Sequence, residues 1–211
     1  MEQFVTALVS QRHLRENGDY FYCDGSAILA KHSESRYYLI ATRHQAARLK
    51  VATKTWVYLP SVAKAEPVTI IAESETADVA ILQFETSEPL ETLMLQPSDW
   101  DWKVQATTNV VMYGFPMQNR NANESKLITD VFDRLRLRTT AAQVKGVAYN
   151  QADGLRLIVD QLILDGESGG LTFSPDIGPL GVNQGRNMMG EEAYITPFWE
   201  AIALLDSLQL P

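Results

Sequence analysis

The densest chemical signal in the sequence is Asp165-Gly166-Glu167-Ser168-Gly169-Gly170. A serine set among glycines in a tight turn can leave its hydroxyl exposed while nearby backbone N–H groups aim at one point, because glycine permits the backbone angles and close approach this needs. A plain glycine-rich turn is the competing reading of so short a motif. A serine hydroxyl is a weak nucleophile until a base takes its proton, so the histidines matter next. There are three, His13, His32 and His44, and all precede Ser168. Gly-x-Ser-x-Gly also suits the strand-to-helix elbow of an α/β-hydrolase, but that arrangement places its histidine after the serine, and the order here excludes it.

Two acid–base–serine orders remain. Asp19 or Asp24 ahead of a histidine would give the subtilisin order, but that scaffold alternates strands with long helices, a pattern this chain lacks. The order His, Asp, Ser has better candidates. Tyr37-Tyr38-Leu39-Ile40-Ala41-Thr42-Arg43-His44 reads as a strand running into a loop that presents a histidine. Thr76-Ala77-Asp78-Val79-Ala80-Ile81-Leu82 puts an acid at the mouth of an apolar strand. Taken singly, His44 is an ordinary histidine and Asp78 a turn residue. Together with the serine they suffice for acyl transfer: His44 takes the Ser168 proton, and Asp78 holds the histidine tautomer and stabilises the imidazolium.

The elements that must position these residues are short. Tyr20–Cys23, Ala27–Ala30, Tyr37–Ala41, Thr55–Leu59, Val68–Ala72 and Val79–Phe84 are rich in Val, Ile, Tyr and Thr and are separated by turn signals. After a poorly periodic connector over 85–103 the pattern resumes at Asn109–Tyr113, Arg134–Thr140, Leu155–Val159, Leu171–Phe173, Leu180–Asn183 and Ala193–Thr196. Such runs predict an all-β barrel or sandwich in two halves, 1–100 and 101–211. Two helices are predicted: one over 1–16 from Phe4, Val5, Leu8 and Val9, and a closing one over 197–208 with Pro197 at its start. Arg134, Arg136 and Arg138 alternate with leucines, which in a strand gives one solvated arginine face.

Composition sets the bounds. The 211 residues are 45% hydrophobic and 21% charged, enough for a sizeable core. A net charge of -8 argues against a broad nucleic-acid footprint, which wants clustered Lys and Arg. With Cys23 as the one cysteine, no intramolecular disulfide and no Cys-pair zinc site is expected, and Cys23 reads as a buried small hydrophobe. Neither a metal nor another cofactor is called for. Met1-Glu2-Gln3-Phe4-Val5 lacks the basic-then-apolar pattern of a signal peptide, and no stretch is long enough to cross a bilayer. The expectation is a cytoplasmic protein with no membrane or nucleic-acid partner.

From about Gly25 to its end the sequence resembles the trypsin-like, chymotrypsin-fold peptidases. Gly25-Ser26-Ala27-Ile28-Leu29, Ile40-Ala41-Thr42-Arg43-His44 and Asp78-Val79-Ala80-Ile81-Leu82 are similar to the strand before the family's histidine, its histidine motif and its aspartate motif. Val111-Met112-Tyr113-Gly114-Phe115-Pro116 resembles the opening of the second barrel, and Gly166-Glu167-Ser168-Gly169-Gly170 the nucleophile motif. The resemblance implies two six-stranded antiparallel β-barrels with a C-terminal α-helix. It implies a serine endopeptidase with His44, Asp78 and Ser168 as catalytic triad, and the N–H groups of Gly166 and Ser168 as oxyanion hole. The partner is a protein or peptide substrate, with room for an activating protein. The alternative is a catalytically silent barrel pair that binds peptides or partners.

By the same resemblance, Asn183, Gln184 and Gly185 lie on the strand that pairs with substrate, and Leu162, six before the serine, forms the floor of the primary pocket. Leu162 implies an apolar preference there. Glu192, two before Tyr194, keeps a basic preference open, and a solvated turn holding Glu191 and Glu192 is the third possibility. The family's secreted members pair a new N-terminus with an aspartate just before the serine. Here that residue is Glu167 and no Ile-Val-Gly-Gly segment is present, so activation by that route is not expected. Arg43 stands where a small residue is usual, and either perturbs His44 or points to solvent.

Overall fold

The computed structural model describes residues 1–14, 18–33, 35–93, 104–116, 124–186 and 192–208. Six strands form the first half: β1 (Val5–Leu14), β2 (Gly18–Ser33), β3 (Arg36–Ala41), β4 (Lys54–Leu59), β5 (Lys64–Glu73) and β6 (Ala80–Glu85). They pair antiparallel in the order β1-β4-β5-β6-β3-β2, and β1–β2 pairing closes the barrel. The second barrel closes in the order β10-β13-β12-β11-β7-β9, from β7 (Asn109–Gly114), β9 (Arg138–Asn150), β10 (Gly154–Val159), β11 (Leu171–Ser174), β12 (Gly178–Arg186) and β13 (Ala193–Pro197). A two-residue strand, β8 (Glu124–Ser125), adds to β2. A 3-10 turn over Glu2–Phe4 and three short α-helices complete the described elements: α1 (Arg43–Leu49), α2 (Ile128–Arg134) and α3 (Phe198–Ser207).

Successive strand residues face opposite sides, and the first barrel uses both. Leu8, Leu39, Val57, Leu82 and Phe84 fill its interior. Val9, Ile40 and Ile81, one position away, belong instead to a core shared with Leu157, Leu171, Val182 and Ile195 of the second barrel. Burial on both faces explains why β1 is a strand where a helix over 1–16 is expected. Val5–Ser10 is buried without a break, and a doubly buried strand has no alternation to distinguish its apolar spacing from helical spacing. Each fully buried Leu or Ile of this set contributes roughly 1.5–3 kcal/mol.

The expected strand over Arg134–Thr140 is also corrected. Arg134 ends α2, Arg136 donates to the carbonyls of Asp133 and Leu135 at 2.8 Å each, and only Arg138 enters β9. The three arginines share no face, because the helix ends and the chain turns between them. Pro197 is the N-cap of α3, where its missing N–H costs nothing, and Phe198, Ala201 and Leu205 seal that helix on the core.

Candidate active site

His44 is not on a loop but in the first turn of α1. Thr42 and Gln45 three residues later form a capping box: the Gln45 N–H donates to the Thr42 side chain and the Thr42 N–H donates to Gln45 Oε1 at 3.0 Å, with the Thr42 hydroxyl also donating to that Oε1 at 2.8 Å. Asp78 sits just before β6, 4% exposed, and receives two bonds from one residue. The His44 N–H donates to Oδ1 at 2.9 Å, and His44 Nδ1 lies 2.7 Å from Oδ2. A carboxylate there assigns the ring proton to Nδ1 and leaves Nε2, which lies 3.4 Å from Thr42 Oγ1, as the unprotonated nitrogen. Burial alone would push the Asp78 carboxyl up, but the His44 hydrogen bonds and charge, aided by Arg43, outweigh it and hold the group below its ordinary value.

Ser168 comes from the other barrel, in the turn between β10 and β11. Its hydroxyl donates to the Gln184 carbonyl at 2.9 Å, and among the described residues it makes no hydrogen bond with His44. The turn is held by the first barrel. Ser26 N–H and Gln45 Nε2 donate to the Ser168 carbonyl at 2.8 and 2.6 Å, and Ser26 Oγ donates to the Gly166 carbonyl at 2.9 Å. The residue after His44 thus grips the residue that carries the hydroxyl. Gly169 is confined to glycine: its φ is 81°, and a Cβ would lie 2.0 Å from the Ser26 carbonyl oxygen.

The same turn fixes two N–H directions. Gly170 N–H donates to the Glu167 carbonyl at 3.0 Å. In a trans peptide the N–H opposes the C=O, so this bond turns the Ser168 N–H the other way. Neither Gly166 N–H nor Ser168 N–H has a hydrogen-bond partner among the described residues. A cavity of about 320 Å³ adjoins Gly166 and Ser168 and is walled by Arg12, Tyr22, Asp24 and Arg48 of the first barrel.

Glu167, 5% exposed, is held inside by its own chain. Arg138 Nη1 donates to both carboxylate oxygens, at 3.1 and 3.0 Å, and the Leu164 N–H donates to Oε2 at 2.6 Å. Burial still leaves this carboxyl above its ordinary value, against the pull of that N–H and of Arg138.

The remaining expected residues fall as follows. Asn183 is fully engaged inward: its Nδ2 donates to the Tyr113 carbonyl at 3.1 Å, its Oδ1 accepts from Thr172 at 2.6 Å, and its backbone bonds Gly169 and Gly170. Pairing of β12 with β11 ends at Val182, so Gln184 and Gly185 keep a strand only on the β13 side. Leu162 and Glu192 are half-buried, and Glu191 lies outside the described residues. Cys23 is buried at 1% exposure, and that burial pushes its thiol up to about 12. Arg43 does not point to solvent; its guanidinium bonds both barrels. Among the described residues no group of three His, Cys, Asp or Glu could hold a metal ion, and no helix is long and apolar enough to cross a membrane.

Ser26, Gln45 and Arg138 are the site residues that sequence reasoning misses. Thr42-x-x-Gln45 is a legible capping box, and a buried Glu167 calls for a cation. Nothing local says that Gln45 faces Ser168 or that the cation is Arg138.

No protein-family model matches the sequence, and no curated protein sequence matches it significantly. Solved structures do match. The HtrA-type protease AlgW with a decapeptide superposes at a TM-score of 0.75 with 16% identity, covering 99% of this chain. The active form of the Rv3671c protease from M. tuberculosis superposes at 0.71 with 16% identity over 100% of this chain and 82% of its own. The inactive form of Rv3671c gives 0.66. The chain spans 65% of the AlgW chain's length. The fold is therefore that of the trypsin-like, chymotrypsin-fold peptidases, and at this identity the likeness is one of fold.

Proposed function

We propose that the protein is a serine endopeptidase in which His44, Asp78 and Ser168 form the catalytic triad and the Gly166 and Ser168 N–H groups the oxyanion hole. One observation carries the reading. A histidine with its Nδ1 bound to a buried, ionised carboxylate is joined through Gln45 to a serine turn whose two N–H groups have no partner among the described residues.

Chemistry would begin when the Ser168 hydroxyl turns from the Gln184 carbonyl to His44 Nε2. As Ser168 Oγ attacks the peptide carbonyl carbon, its proton passes to Nε2, and the carbonyl oxygen takes the electron pair and lies against the two N–H groups. His44 then delivers that proton to the departing amine. Water repeats the cycle on the acyl-serine, with His44 again as base. Each oxyanion donor of this kind is worth roughly 10²–10³ in rate. AlgW is described with a decapeptide and a tripeptide, in keeping with a peptide substrate here. Gln184 and Gly185 would offer backbone to it, with Leu162 and Glu192 at the primary pocket. Asn183, turned inward, would brace the nucleophile turn instead. The two barrels, divided near residue 100, would act as one cytoplasmic unit, with a regulatory or defence- and stress-linked role and an activating partner protein within its scope.

A second reading has its own observation. With the Ser168 hydroxyl donated to Gln184 and not to His44, a silent peptide-binding barrel pair has the same resting geometry. Labelling by a fluorophosphonate separates the two. Covalent modification at Ser168, absent in Ser168→Ala, supports the peptidase; an unlabelled wild type with intact peptide affinity supports the silent domain.

A further inference from the structure

Arg43 opens α1, one residue before His44, and makes four hydrogen bonds. Nη1 donates to the carbonyls of Ser74 and Glu75 at 2.9 and 3.1 Å. Nη2 donates to the Ala152 carbonyl at 2.9 Å and to Asp153 Oδ1 at 3.2 Å. The first pair lies in the loop that presents Asp78. Ser74 closes that loop by donating to the Val79 carbonyl at 2.9 Å and accepting the Ala77 N–H on its hydroxyl at 3.1 Å. The second pair lies in the β9–β10 turn, on the other barrel.

The two loops also meet directly, since a Cβ on Gly154 would stand 2.7 Å from the Thr76 carbonyl oxygen. From Asp153 the chain of contacts continues. Arg156 Nη2 bonds its Oδ2 at 2.6 Å, and the Arg156 guanidinium lies over the Tyr194 ring, 4.9 Å from its centroid. Tyr194 pairs with Gly185 on β12.

We infer that Arg43 is a positioning residue that locks the two barrels at the separation His44 and Asp78 need to serve Ser168; this rests on the peptidase reading above. A planar guanidinium with donors in fixed directions can hold four acceptors on two bodies, whereas an ammonium on a flexible stem cannot. Ordering so long a side chain costs rotamer entropy, which the four bonds offset only while both barrels are in place. The triad is divided between the barrels, so a displacement of about 1 Å costs on the order of 10²-fold in rate.

The test compares wild type, Arg43→Ala, Arg43→Lys, Asp153→Ala and the Arg43→Ala/Asp153→Ala double variant. Two quantities are read: saturation kinetics of fluorophosphonate labelling, and amide hydrogen exchange over 74–78 and 150–154. In Arg43→Ala the maximal labelling rate falls ~10–100-fold while half-saturation stays close to wild type. Exchange rises in both loops together. Arg43→Lys lies between the two, and the double variant is no slower than Arg43→Ala, because both changes cut one link. An unchanged maximal rate, or faster exchange in one loop only, overturns the inference. If Arg43→Ala does not fold, Arg43→Lys carries the comparison. An unlabelled wild type refutes the peptidase reading instead, and the exchange data then decide by themselves whether Arg43 joins the barrels.

Discussion

The Arg138→Gln variant probes how the serine turn keeps its shape. Glu167 is buried, and Arg138 is its partner cation. Removing one member of a buried ion pair costs ~3–5 kcal/mol, because the other charge is left uncompensated. The Arg138 side chain is 35% exposed, and the Leu164 N–H still holds Glu167 Oε2. Water screens part of the interaction, so the expected loss is roughly 2 kcal/mol, or about 4–8 °C in Tm for a chain of this length.

The pH dependence of that loss has a definite sign. Burial raises the Glu167 carboxyl, and the Leu164 N–H and Arg138 oppose the rise; without Arg138 it goes further up. A carboxyl raised on folding adds stability that is fully present below its unfolded value and lost as pH climbs through the folded value. The Arg138→Gln deficit is therefore largest near pH ~7.5 and shrinks toward pH ~4.5. Labelling at neutral pH should fall by up to roughly 10²–10³, the worth of one oxyanion donor, if the freed carboxylate drags the Ser168 N–H from its direction. Adding Glu167→Gln restores a neutral pair and recovers most of the Tm. Melting curves at the two pH values, with labelling rates, decide the matter. Wild-type melting and labelling of Arg138→Gln at neutral pH would refute the role given to the pair.

Four shorter expectations accompany it. Ser168→Ala and His44→Ala each remove nearly all peptide hydrolysis; Ser168→Ala leaves Tm almost unchanged, whereas His44→Ala lowers it because the buried Asp78 carboxylate loses its partner, and the double variant is kinetically little worse than either single change. Asp78→Asn lowers turnover by ~10⁴ through the wrong histidine tautomer. In the wild type the lowered Asp78 carboxyl stabilises the fold above the ordinary Asp value and loses that contribution only as pH falls through its depressed value, which acid titration of Tm against Asp78→Asn will read. Peptide-library cleavage should favour apolar residues before the scissile bond, following Leu162; cleavage after Arg or Lys that collapses in Glu192→Gln would transfer the specificity to Glu192. Hydrolysis should survive both EDTA and reductant, since Cys23 is buried and unpaired; loss in EDTA with recovery on adding zinc would reject this mechanism.

Much of the barrel architecture is legible because each barrel strand satisfies its backbone locally in register with neighbours, leaving a repeat of short β-branched and aromatic runs. β1 and β3 are both buried on two faces, which removes the alternation that would mark a strand; Tyr37–Ala41 still reads as one from its aromatic and β-branched content, whereas Phe4, Val5, Leu8 and Val9 also fit a helical spacing. α2 is hidden for a different reason: Arg134, Leu135, Arg136, Leu137 and Arg138 alternate like a strand, yet the helix ends inside that run.

The sequence by itself determines which groups are available and in what order: a serine among glycines, three histidines that all precede it, Asp78 between His44 and that serine, and no second cysteine to staple the chain. Those are properties of residue type and short spacing. The tertiary structure decides what touches Ser168. Ser26 and Gln45 reach its turn across 140 and 123 positions of chain, Arg43 reaches Asp153 across 110, and Glu167 takes Arg138 rather than a chain terminus. The first three leave no local trace, because their geometry exists only after the two barrels bury their shared faces against each other; Arg138 and Glu167 meet inside the second barrel, 29 positions apart, once that barrel closes.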